Sequence, residues 1–133
     1  MKKIVSILLL ILVILFVFGN CQKANTRRIE SIIIEGVWIV DLFQDAKLDQ
    51  TADYSGFVFT FQKTGKVDVE KGSKIFRGTW AIENGSKNFN LSLTDPLQKL
   101  KENWSIMYYT TTKVELKSLN DNGSIKLLTF RRQ

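Results

Sequence analysis

No histidine occurs among the 133 residues, which removes the commonest general base and the commonest metal ligand. Cysteine is almost as scarce. Cys21 stands alone, and a lone cysteine makes no internal disulfide. Serine and threonine are plentiful, but none sits in a G-x-S-x-G nucleophile elbow. Asp41, Asp45, Asp49 and Asp53 recur every four residues without matching the D-x-[DN]-x-[DN]-G calcium loop. The first of them falls in an expected strand, so a solvated loop is the simpler reading. The sequence is therefore expected to encode no enzyme, no cofactor site and no metal site.

The single cysteine directly follows the one long apolar run. Lys2 and Lys3 open the chain, and Ile4 to Phe18 is apolar except for Ser6. Those 15 residues fall short of the roughly 20 that a membrane-spanning helix needs. A basic start, an apolar segment of this length and then small or polar residues read as an export signal over residues 1–20. Phe18-Gly19-Asn20-Cys21 resembles the lipobox of bacterial lipoproteins, where a diacylglyceryl thioether forms on the cysteine before cleavage ahead of it. Phe18 and Asn20 depart from the usual Leu and Gly/Ala, as in the relaxed lipobox of Bacteroidetes and spirochaetes. The resemblance implies lipid on Cys21, a mature chain starting there and a membrane partner in the bacterial cell envelope. The alternative is a free or disulfide-bonded thiol in a secreted protein.

Loss of Lys2 and Lys3 with the signal leaves 17 Lys+Arg against 13 Asp+Glu, a net charge of +4. A basic balance can mark nucleic-acid binding, but an exported, anchored chain would seldom meet any. Anionic headgroups, or no particular partner, suit the excess better. Residues 21–34 begin with polar residues lacking periodicity and read as a lipidated tether ahead of a domain at 35–133. Some Bacteroidetes lipoproteins carry an acidic cluster after the cysteine that directs them to the cell surface. Gln22, Lys23, Ala24 and Asn25 are not acidic, which favours a periplasm-facing anchor on the outer membrane.

From Gly36 onward the pattern has a period of two, punctuated by turn signals. The expected strands are "GVWIVDLF"; "GFVFTFQ", with Phe57, Phe59 and Phe61 on one face; a strand holding Val67 and Val69; and "IFRGTWAIE", with Phe76, Trp80 and Ile82 together. "NFNLSLT", "NWSIMYYT", "TKVELKS" and "SIKLLTF" follow. Lys63-Thr64-Gly65, Asn84-Gly85 and Asn122-Gly123 are hairpin signals, and Asp95-Pro96 begins a break before one helical turn or a loop at 97–101. Eight short strands at spacings of about ten residues predict an all-β, antiparallel up-and-down barrel, since closure removes exposed edges.

Gly36-Val37-Trp38 resembles the G-x-W signature of lipocalins and fatty-acid-binding proteins. With "FVFTF", "GTW", "ENWSI" and a closing "LLTFRR" in that order, residues 32–133 look like the small lipocalin-like lipoproteins of Bacteroidetes. The resemblance implies an arginine near the last strand packed over Trp38 at the closed end of the barrel. Arg131 and Arg132 alternate in facing, and Arg131, the less terminal, is the expected partner. It also implies a small apolar ligand, for which Phe57, Phe59, Phe61 and Trp80 are the candidate contacts. The chain is shorter than an ordinary lipocalin and lacks its C-terminal helix.

Two readings of the aromatic residues stay open. They line a cavity for a hydrophobic ligand, or they form the filled core, each adding roughly 1.5–3 kcal/mol on burial. In the second case the protein is an interaction or structural lipoprotein using its outer surface. Lys63, Lys66, Lys71, Lys74 and Arg77 gather around the third strand, either as an anion-contacting surface or as lysines protecting a sheet edge.

Overall fold

The structure, a computed structural model, describes residues 26–133. The expected export signal and Cys21 lie outside the described residues. The described residues form nine strands: β1 (Trp38–Asp45), β2 (Leu48–Asp49), β3 (Val58–Phe61), β4 (Lys66–Lys71), β5 (Lys74–Glu83), β6 (Asn88–Ser92), β7 (Glu102–Tyr109), β8 (Lys113–Leu119) and β9 (Ile125–Arg132). β2 is a two-residue ledge folded back on β1. The other eight follow one another as antiparallel neighbours, and β9 pairs with β1 to close an up-and-down barrel.

The wall follows the alternation of apolar and polar residues. Phe59 and Phe61 point inward from β3, and Trp80 and Ile82 from β5. Phe89 and Leu91 do so from β6, and Val114 and Leu116 from β8. In β1 the alternation breaks. Trp38 and Val40 are buried, then the register shifts between Val40 and Leu42 and the next buried residue is Phe43. The bulge keeps both Asp41 and Leu42 off the fully buried face and lets Phe43 return to the core. Gly78 is required by packing, because a Cβ there would lie 2.3 Å from the Ser92 carbonyl oxygen and 2.6 Å from Leu93 Cδ2. The Asn84-Gly85 turn is longer than a two-residue hairpin, with positive φ at Asn84, Gly85 and Ser86.

Two expectations are corrected. Residues 26–33 are not tether but helix, with Ile29, Ile32 and Ile33 buried in the core. Their i, i+3, i+4 spacing makes one apolar stripe, which plugs the end of the barrel where β1 begins and β9 ends. Nor does β4 have an edge for lysines to protect, because it is paired on both sides, with β3 and β5. Among the described residues no helix is long and apolar enough to cross a membrane. Within the described residues, helix 26–33 and the closed wall share one core, so residues 26–133 are the segment on which the barrel is tested.

Candidate functional site

The two ends of the barrel differ. At the helix end, Trp38 stands across from Arg132 in the β1–β9 register, so the two share a face. The Arg132 guanidinium lies 5.0 Å from the Trp38 ring centroid. Arg131, the expected partner, instead points outward, its Nε 3.1 Å from Asp41 Oδ1. Strand parity explains the correction: Phe130 belongs to the core, so residue 132 shares its inward face and residue 131 does not.

Helix ends leave carbonyls without intrahelical partners, and this end is capped by the same pair. Trp38 Nε1 donates to the Ile33 carbonyl at 2.9 Å, and Arg132 Nη2 to the Ile32 carbonyl at 2.7 Å. A cation there also complements the helix dipole, and Glu35 sits 3.4 Å from Arg132 Nη1. Gly36 turns the chain into β1 with φ +68°, and a Cβ at that position would press on Arg132 Cδ at 3.4 Å. The pattern of Gly36, Trp38 and Arg132 is thus a plug lock.

The four candidate ligand contacts are all buried, but they do not form one group. Phe61 touches Trp80, Phe89 and Phe130 edge-on, each at a centroid distance of 5.7 Å. Phe59 stacks on Phe61 at 6.3 Å and meets Phe130 at 5.0 Å. These rings pack against one another inside the barrel. Phe57 stands apart, nearer the opposite end, against Phe76 at 5.9 Å and Tyr54 at 6.5 Å.

That opposite end is the mouth. A cleft of about 760 Å³ opens there, with Tyr54, Phe57 and Phe76 on its wall and Lys71, Lys74 and Lys99 around it. Asp53 and Asp95 also border it. Tyr54 comes from the 3-10 turn Thr51–Tyr54, whose start is held by Asp49 accepting hydrogen bonds from Thr51 N and Oγ1. Those bonds hold the Asp49 carboxyl below its ordinary value. Lys71 Nζ lies 4.5 Å from the Phe57 ring centroid, a cation–π distance. Two further surface clefts exist. One, of about 610 Å³, lies beside the helix between Arg27, Lys63 and Trp80; the other, of about 380 Å³, lies near Ala46 and Ile125. Among the described residues no three His, Cys, Asp or Glu side chains are grouped to hold a metal ion.

Burial, with Asp53 and Asp45 adding to it, pushes the Tyr54 phenol up to about 12. Its folded value lies above the ordinary value of about 10. The stability it contributes is therefore fully present below about pH 10 and lost as pH rises towards 12. Tyr54→Phe should show a shallower alkaline decline than the wild type in urea unfolding between pH 9 and 12. Equal declines would show that Tyr54 is not the group involved.

Sequence reasoning missed the helix, Arg132 and the mouth. The spacing of Ile29, Ile32 and Ile33 signalled the first, and the parity of Phe130 signalled the second. Nothing local in the sequence signalled that residues 54, 76 and 99 meet.

No protein-family model and no curated protein matches the chain. Among solved structures, a DUF4847 family protein from Bacteroides vulgatus is similar, with a TM-score of 0.56 and 15% identity over 79% of this chain and 97% of that one. At that identity the likeness establishes the shared barrel and nothing about chemistry.

Proposed function

We propose that this chain is a non-enzymatic lipoprotein of the bacterial cell envelope, lipid-anchored through Cys21, with a solid barrel that works through its surface rather than by carrying a ligand inside. The observation that carries the solid-barrel reading is the mutual packing of Phe59, Phe61, Trp80, Phe89 and Phe130. An eight-stranded barrel has an interior only wide enough for side chains or one small ligand, and here rings take that space.

The anchor reading rests on the basic start, the short apolar run and the only cysteine at its end. Residue 26, the first described residue of the helix, lies five positions after Cys21, and five residues span at most about 18 Å whatever their conformation. An anchor at Cys21 would keep the plugged end near the membrane and turn the mouth away from it. A periplasm-facing position on the outer membrane suits the non-acidic residues after the cysteine.

Metabolic labelling with a fatty-acid analogue tests the anchor. The wild-type chain should take up label and Cys21→Ser should not. Equal labelling of both, or a mature N-terminus elsewhere, would refute it.

A further inference from the structure

We infer that the mouth cleft is a binding site for an amphipathic organic anion, a molecule with one anionic head and an aromatic or aliphatic body. The inference rests on the solid-barrel reading, which leaves ligands to the surface clefts, and of these the mouth combines a run of rings with facing lysines.

The first observation is an unneutralised pair of cations. Lys71 and Lys74 close the β4–β5 hairpin as direct cross-strand partners, and both border the cleft. Like charges facing each other across a strand pair are destabilising. Among the described residues neither Lys71 nor Lys74 has a carboxylate within ion-pair distance; other lysines share that lack, and the direct cross-strand register is what distinguishes this pair. An anion held between them would relieve the repulsion. Lys99, whose Nζ donates to Gln50 Oε1 at 3.3 Å, adds a third positive charge across the cleft.

The second observation is the wall behind those charges. Tyr54, Phe57 and Phe76 form a run of rings, continued into the core by Phe43 at 5.1 Å from Tyr54. The Tyr54 hydroxyl makes no hydrogen bond among the described residues and is free to donate one. A cleft of about 760 Å³ is within the size of small-molecule sites, which combine apolar walls with a few polar groups.

Charge and wall together fix the ligand class. A neutral apolar molecule would leave the lysines unanswered. A highly charged polyanion would meet Asp53 and Asp95 on the same rim. A single anionic head between Lys71 and Lys74, with its body against Phe57 and Phe76, uses both features. Anionic headgroups in the anchoring bilayer are not the ligand, because the mouth lies at the end opposite the helix.

The test compares two dyes that differ by one sulfonate, 1-anilinonaphthalene-8-sulfonate and neutral N-phenyl-1-naphthylamine, on residues 26–133. The sulfonated dye should bind at least tenfold more tightly and weaken as salt rises. Its affinity should fall at least tenfold in Lys71→Gln/Lys74→Gln and stay unchanged in Lys87→Gln, at the helix end. Unaltered thermal unfolding of the variants confirms their fold. Amide shifts in NMR spectra should move at Phe57, Phe76 and Lys71. Equal binding of the two dyes, or an unaffected double variant, would overturn the anion site. Absence of any binding would overturn it too and leave the solid-barrel reading standing. Shifts centred on Phe59 and Phe89 would overturn both.

Discussion

Truncating Phe61 to alanine is expected to lower the unfolding free energy by about 3–5 kcal/mol, the range for a large aromatic removed from a packed core. Phe61 is 2% exposed and its ring meets four others, those of Phe59, Trp80, Phe89 and Phe130. Such interiors relax only partly when a side chain is deleted, so the loss combines lost transfer energy with an unfilled void. A loss well below about 2 kcal/mol would indicate that the ring had bordered empty space, since a pre-existing cavity leaves fewer contacts to forfeit. Denaturant unfolding at neutral pH, with a slope unchanged from wild type, supplies the number.

The second large effect belongs to the plug lock. Trp38→Ala is expected to cost about 3–5 kcal/mol, because Trp38 is 1% exposed and its indole both fills the barrel end and donates to the helix carbonyl of Ile33. The two arginines then separate the lock from its neighbour. Arg132→Ala removes the ring contact and the bond to Ile32 and should cost about 1–3 kcal/mol. Arg131→Ala breaks only the half-exposed pair with Asp41 and should cost less than about 1 kcal/mol. Hydrogen exchange gives the same contrast locally. Arg132→Ala should speed exchange in helix 26–33 while Arg131→Ala leaves it unchanged. The reverse order would mean that the last strand faces the other way.

The barrel was legible because its information is local and repetitive. Alternation in "GFVFTFQ" and "NFNLSLT" and turn residues such as Asn84-Gly85 each specify a strand or a reversal. Eight of them in series leave closure as the way to satisfy every edge. Legibility failed where parity or distance intervened. The bulge in β1 is invisible to a strict period of two, and choosing Arg131 by its distance from the terminus ignored the face already assigned by Phe130. The helix escaped because Arg27, Arg28, Glu30 and Ser31 gave its segment a polar average while its three isoleucines gave it a stripe.

The candidate site was harder to read for a physical reason. Phe57 was named with Phe59 and Phe61 because alternation puts all three on one face of the expected strand "GFVFTFQ", whereas β3 itself starts at Val58. Position along the barrel axis then separates them: Phe59 and Phe61 meet the rings of β6 and β9, whereas Phe57 meets Tyr54 and Phe76. Periodicity assigns the face of a sheet and carries no information about what covers each end. The lysines around β4 were likewise visible as a cluster. Only the register that sets Lys71 opposite Lys74 distinguishes a charged rim from a merely soluble surface.

In the solid-barrel reading, rings fill the barrel and leave no room for a carried ligand. Xenon enters dry apolar voids and is located by diffraction, so crystals of residues 26–133 under xenon pressure test that claim. Wild-type crystals should show no xenon inside the barrel, and Phe61→Ala crystals should show one atom in the space the ring vacated. A xenon atom among Phe59, Phe61 and Phe89 in the wild type would contradict the claim and restore an interior ligand site.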